Sequence, residues 1–191
     1  MRFYNFIQEK TNKITGKKMS RTMIGYKVNV SDINQTIEYI KSWLDSYNIS
    51  YQQNDSPHIT VAQITGTYSK PKLVRIMQRL PSNFTMNPKR LKLLHGKYVG
   101  KYFITVEMKK NDKYKKAHDI VANELTDIKV FEDGMIPHIS LFIIEEKDIE
   151  DLRNNFEEIA QKVPKLPKVK LKIVQLFNSK FLPEFLLKKN K

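Results

Sequence analysis

The chain has 191 residues and a mass of 22.6 kDa, a size for one domain or for two small lobes that share a core. Apolar residues make up 40%, with ten Phe, nine Tyr and one Trp, which excludes disorder throughout; the absence of Cys excludes a disulfide scaffold, thiol catalysis and any Cys-ligated zinc or iron–sulfur site. Lys and Arg number 34 against 20 Asp and Glu, a formal charge of +14 that suits an anionic partner such as nucleic acid, a nucleotide or an anionic membrane.

Residues 1–20 are polar and basic and read as a tail ahead of the folded part. They lack the apolar segment and small-residue cleavage site of a secretory signal, and no stretch of the chain approaches the roughly 18 apolar residues of a bilayer-spanning helix. A soluble, cytoplasmic protein with no membrane partner is therefore expected. From Thr22 the alternation of Ile24, Tyr26, Val28 and Val30 predicts a strand. Ser31 or Asp32 then caps a helix with Ile33, Ile37, Ile40, Trp43 and Leu44 at helical spacing, and Trp43 is assigned to the core. A polar loop at 50–56 leads through Pro57 into a β-branched run, His58 to Ile64, read as a strand. Lys70-Pro71 opens a second helix reaching about Leu80, and 81–88 reads as loop.

Leu91 to Leu94 and Tyr102 to Met108 predict two strands joined by a turn with Gly96 and Gly100. Asp112 to Leu125 is a helix whose apolar stripe includes Tyr114, Ala117, Ile120 and Val121; the lysines at its start read as a solvated surface. A short strand at 128–131 and a turn at Glu132-Asp133-Gly134 lead to Pro137 and a strand from His138 to Ile144. A helix from Lys147 to Gln161 ends before Pro164 and Pro167. A last strand spans Val169 to Phe177, and residues 181–191 form an apolar, then basic, end.

The order strand, helix, loop, Pro-His-strand occurs twice, over 26–64 and again over 102–144. The predicted fold class is α+β: one domain over 21–180, built as two pseudo-symmetric β/α lobes around a central cleft. The repeated tetrapeptides are Pro57-His58-Ile59-Thr60 and Pro137-His138-Ile139-Ser140, and they take two of only four His. Residues i and i+2 of a strand share a face. His58 and Thr60 thus point one way, as do His138 and Ser140, while Ile59 and Ile139 anchor the strands behind. The reading places imidazole opposite imidazole across the cleft, each with its alcohol beside it. Two imidazoles can divide the work of general base and general acid at neutral pH, and two hydroxyls can donate to the non-bridging oxygens of a phosphate. No cofactor and no metal are expected, because the sequence shows no cluster with ligand spacing. His95 and His118 have no such matched neighbours.

Paired His-x-Thr/Ser-hydrophobic motifs on two halves of one α+β domain resemble the two-histidine phosphoesterase superfamily, over about residues 22–179. The resemblance implies metal-independent hydrolysis of a phosphodiester in a nucleotide, short oligonucleotide or RNA through His58, Thr60, His138 and Ser140. Ile173-Val174-Gln175-Leu176-Phe177-Asn178-Ser179 is similar to the last strand of the bacterial RNA 2′,3′-cyclic phosphodiesterase branch. Tyr26 on the first strand resembles the phage anti-CBASS phosphodiesterase branch, which degrades cyclic oligonucleotide signals. That likeness implies Tyr26 as a substrate contact, Gln175 in place of a late acidic residue, and the cytoplasm of an infected host as the location. Phe6-Ile7-Gln8-Glu9 resembles the capsid-targeting leaders of large tailed phages. Two other readings compete: RNA end or 2′-5′ oligoadenylate cleavage, and a non-catalytic nucleotide-binding module on the same fold.

Overall fold

A computed structural model of the chain describes residues 22–64, 68–96, 101–126, 128–129, 136–145, 149–177 and 183–186. The expected tail, the leader-like segment and the turn at 132–134 lie outside the described residues.

The first half runs β1 (Thr22–Lys27), α1 (Val30–Ser46), β2 (Tyr51–Gln53), β3 (His58–Ile64) and α2 (Lys70–Arg79). After β4 (Phe84–Met86) and β5 (Pro88–Gly96), the plan recurs as β6 (Lys101–Met108), α3 (Asp112–Glu124), β7 (Ile128–Lys129) and β8 (His138–Glu145). The chain continues through α4 (Ile149–Lys162), β9 (Val169–Leu171), β10 (Val174–Phe177) and β11 (Pro183–Leu186). Nine strands form one sheet in the order β11-β10-β1-β3-β8-β6-β5, with β7 beside β3 and β2 beside β8; β4 and β9 pair separately. The α+β class and the paired halves are as expected.

β3 and β8 are antiparallel neighbours, and they meet at a single register pair, Ile59 opposite Ile139. Beyond it each strand changes partner: β7 takes Gln63 and Ile64 of β3, and β2 takes Phe142 to Ile144 of β8. The two half-sheets therefore join at one register pair. The halves also exchange an element, because β2 belongs to the first repeat and pairs with the second, and β7 does the reverse.

Register carries the hydrophobic pattern across the whole sheet. Val174, Tyr26, Ile59, Ile139, Val106 and Leu91 are successive partners in one row, and all six are buried. The row fixes which face is core, because a slip of one residue would invert every strand. α1 buries Ile33, Ile37, Ile40 and Leu44 of the stripe expected from its spacing, whereas Trp43, expected in the core, is half-buried, packed against the core and stacked on Tyr47.

Some local readings change. The helix caps at Asn29, which has no side-chain cap bond, and not at Ser31 or Asp32. The strand expected over 169–177 is two strands in different sheets, β9 with β4 and β10 with β1. β2 and β4 fall where loops were expected; three residues are too few for alternation to show. Of the chain end beyond 180, residues 183–186 pair with β10 at the sheet edge.

Candidate active site

The rows on either side of the buried apolar row point to the other face of the sheet. Antiparallel pairing through Ile59 and Ile139 sets His58 across from Ser140 and Thr60 across from His138. One row then reads Gln175, Gly25, Thr60, His138, Glu107, Arg90. The other reads Lys27, His58, Ser140, Thr105, Lys92. All four residues of the two motifs thus share one face. The sequence reading is corrected in one respect: each imidazole stands opposite the other strand's alcohol, and the two imidazoles are diagonal neighbours. Diagonal positions have side chains about 7–8 Å apart, room for a phosphate between two rings.

The two motifs match in their backbone entry bonds, their imidazole bonds and their bulges. His138 follows His58 by 80 positions, as Met108 follows Val28, Pro137 follows Pro57 and Ile136 follows Ser56. The backbone N–H of Val28 donates to the carbonyl of Pro57 at 3.0 Å, and that of Met108 to Pro137 at 2.7 Å. Nδ1 of His58 bonds to the carbonyl of Ser56 at 2.9 Å, and Nδ1 of His138 to that of Ile136 at 3.0 Å. A carbonyl only accepts, so Nδ1 carries the hydrogen in both rings and Nε2 is the position that gains or gives a proton. Each motif is followed by a β-bulge: Val61 is the extra residue of β3 against β1, and Leu141 that of β8 against β6. A bulge breaks the ladder, and here both freed carbonyls are met from outside it. The Tyr114 hydroxyl donates to the Thr60 carbonyl at 2.7 Å. The Asn54 amide donates to the Ser140 carbonyl at 2.8 Å, and the Asn54 backbone N–H to that of Leu141 at 2.8 Å.

His58 is buried, and its ring stacks on Phe177 with centroids 4.0 Å apart. Phe177 reaches it from β10 across β1 because Gly25 has no side chain. A Cβ there would lie 2.8 Å from the Ile59 carbonyl and 3.2 Å from Phe177 Cε2. Burial brings the His58 pKa down from 6.5 to about 4, against the bond to Ser56 and with help from His138. His138 is also lowered, by burial first; its bond to Ile136 opposes this, Lys92 adds to it, and Glu107 opposes it. Glu107 is itself buried. Burial raises its pKa, but Lys89 at 2.6 Å and Arg90 at 2.9 Å more than offset that and hold it low.

The structure does not bring Tyr26 to this face. Its ring is fully buried edge-on to Phe84, and its hydroxyl donates to the Pro81 carbonyl at 2.7 Å. It sits in the apolar row, where alternation puts it opposite to Gly25, so the expected substrate contact is corrected to a core residue. Gln175 does lie in a site row, fully enclosed, with neither amide atom hydrogen-bonded. Asn54, Tyr114, Gly25, Phe177 and Glu107 were not singled out by sequence. The 80-residue offset was the available signal, since it pairs Lys27 with Glu107 and the two bulges with each other. Among the described residues no group of three His, Asp or Glu is placed to hold a metal, and no helix is long and apolar enough to cross a membrane.

No protein-family model matches the chain, and no curated protein matches it in sequence. Solved structures do match in fold. Usb1 of Kluyveromyces marxianus, solved with uridine monophosphate, aligns with a TM-score of 0.59 at 9% identity, over 88% of this chain and 96% of that one. TT0787 of Thermus thermophilus aligns with a TM-score of 0.54 at 12% identity, over 88% and 95%. A protein solved as a phosphoesterase aligns with a TM-score of 0.50 at 14% identity, over 89% and 96%. The likeness spans nearly the whole length of each and is one of fold.

Proposed function

We propose that the chain is a phosphodiesterase acting on a nucleotide or short oligonucleotide by paired imidazole acid–base catalysis. The observation that carries this is the pair of rings, set diagonally on one face, each with its tautomer fixed by the carbonyl two residues back and each in a row with a hydroxyl. Two of the fold relatives add support, one a phosphoesterase by name and the other solved with a nucleotide.

The geometry favours His58 as the base and His138 as the acid. His58 has its pKa lowered to about 4 and is neutral at pH 7; burial lowers His138 too, but the Glu107 carboxylate in the next strand of its row opposes that shift and favours the protonated ring. Nε2 of His58 takes the proton of the attacking hydroxyl, from water or a neighbouring ribose, as that oxygen bonds to phosphorus. The bond from phosphorus to the departing ribose oxygen breaks, and Nε2–H of His138 protonates that oxygen. Each transfer contributes about 10²–10⁴ in rate. Thr60 and Ser140 donate to the non-bridging oxygens, whose charge grows in the transition state. Every role falls to side chains of the chain itself.

Two substrate classes stay in play: cyclic oligonucleotide signals, as in viral evasion of host defence, and RNA ends or 2′-5′ oligoadenylate. The burial of Tyr26 removes the strand feature that favoured the first. A panel decides: cyclic dinucleotides and trinucleotides, 2′-5′ oligoadenylate and RNA with a 2′,3′-cyclic phosphate end, incubated with EDTA and analysed by product mass. At least one is cleaved, and His58→Ala and His138→Ala each abolish that cleavage in folded protein. Inertness toward the whole panel, or most of the activity surviving in either variant, overturns the proposal.

A further inference from the structure

The edge strand β5 carries more positive charge into the site face than its pairing needs. A bulge falls between Pro88 and Arg90, so Lys89 is the extra residue. Bulges re-aim side chains, and this one lets Lys89 and Arg90 both reach the Glu107 carboxylate, one on each oxygen. Glu107 is 2% exposed, whereas the Lys89 and Arg90 side chains are 52% and 59% exposed, so a buried anion pins two cations whose side chains are half open to solvent. Lys92 follows two residues later on the same face, in the row of His58 and Ser140, with no acidic partner among the described residues. Three cations against one carboxylate leave two positive charges uncompensated. β5 lies two strands from β8, roughly 10 Å from its backbone, and the charge of Lys92 is felt at His138.

The geometry points to a second phosphate-binding site on β5, formed by Lys89, Arg90 and Lys92 around Glu107, which takes a phosphate next to the scissile one. The inference rests on the phosphodiesterase reading and deepens it. The substrate carries at least two phosphates, in a linear oligonucleotide or in a ring, and a mononucleoside cyclic phosphate uses only half of the face. Glu107, opposite His138 in the next strand, holds the two cations on the β5 side of that ring. The guanidinium of Arg90 keeps donors to spare for a phosphate while Nε holds Glu107.

The test is a binding titration with linear ApA, pApA and ApAp and with cyclic di-AMP, at 50 mM salt, on the intact chain and on R90Q/K92Q. The expected result is that pApA, ApAp or the ring binds at least tenfold tighter than ApA, and the probe that does so identifies linear or cyclic substrate. That gain falls below threefold in the double variant and also, with the unsubstituted chain, at 500 mM salt, where screening weakens exposed charge pairs. Equal affinity for all four probes, or a gain that survives both changes, overturns the site. Failure to hydrolyse any nucleotide refutes the phosphodiesterase reading and leaves this affinity ratio readable, while hydrolysis with no ratio refutes the second site alone.

Discussion

His58 offers a test that needs no substrate. Its pKa is about 4 in the folded chain, brought down chiefly by burial, and near 6.5 when the chain is unfolded. Below pH 6.5 the unfolded chain takes up a proton that the folded site refuses. Stability from this group is therefore fully present above pH 6.5 and is lost as pH falls toward 4. At about 1.36 kcal/mol per tenfold, the whole loss is about 3 kcal/mol, of which about 2 kcal/mol falls between pH 7 and pH 5. Urea unfolding of the intact chain and of His58→Gln at both pH values isolates the term, because His138 remains in both proteins. The intact chain is expected to lose about 2 kcal/mol more than the variant over that interval. The same dependence in both proteins, or an imidazole that titrates near 6.5 by NMR, would refute the burial argument and with it the ground for naming His58 the base.

The free-enzyme rate constant kcat/KM should follow a bell on the acid side of neutrality. It rises as His58 loses its proton near pH 4 and falls as His138, whose pKa burial also lowers, loses its own; an optimum above pH 7.5 contradicts these roles. Tyr114→Phe leaves the Thr60 carbonyl unmet at the β3 bulge and should cost about 1–3 kcal/mol of stability, with a fall in kcat larger than any change in KM; thermal melts and initial rates check both. Gly25→Ala drives a methyl group against the Ile59 carbonyl and the Phe177 ring, so a loss of about 1–3 kcal/mol is expected, read from the urea midpoint, together with a shifted His58 titration. An unchanged midpoint would show that β1 can move away from β3 freely. Thr60→Ala and Ser140→Ala should each lower kcat by roughly 10²–10³, measured on the best panel substrate, if their hydroxyls serve as oxyanion donors.

The two tetrapeptides were legible because a strand's period of two is rigid. Once His58 and Thr60 are read on one face, Ile59 must be on the other, and the structure follows that rule on both strands. The direction in which β3 and β8 run past each other was not legible, since nothing within either motif distinguishes parallel from antiparallel. That single unknown decides whether ring faces ring or ring faces alcohol. Tyr26 went astray for the opposite reason: its alternation with Ile24 and Val28 placed it correctly among core residues, and the family likeness suggested otherwise. Tyr114 read as one more apolar residue on a helix stripe, because the bulge that makes its hydroxyl necessary arises only when β3 meets β1. Glu107 sits among apolar residues of β6 with no local partner in sequence, and its cations come from a neighbouring strand 17 and 18 positions earlier.

The exchange of β2 and β7 between the repeats has a consequence for how the chain assembles. Each repeat, cut out alone, would lack the short strand that closes its own half-sheet and would offer an open edge in its place. Residues 128–129 and 138–145 are needed to complete the sheet that residues 22–64 begin. Such distant closure slows folding, and the two motifs come to face the same side only when both halves of the sheet are joined.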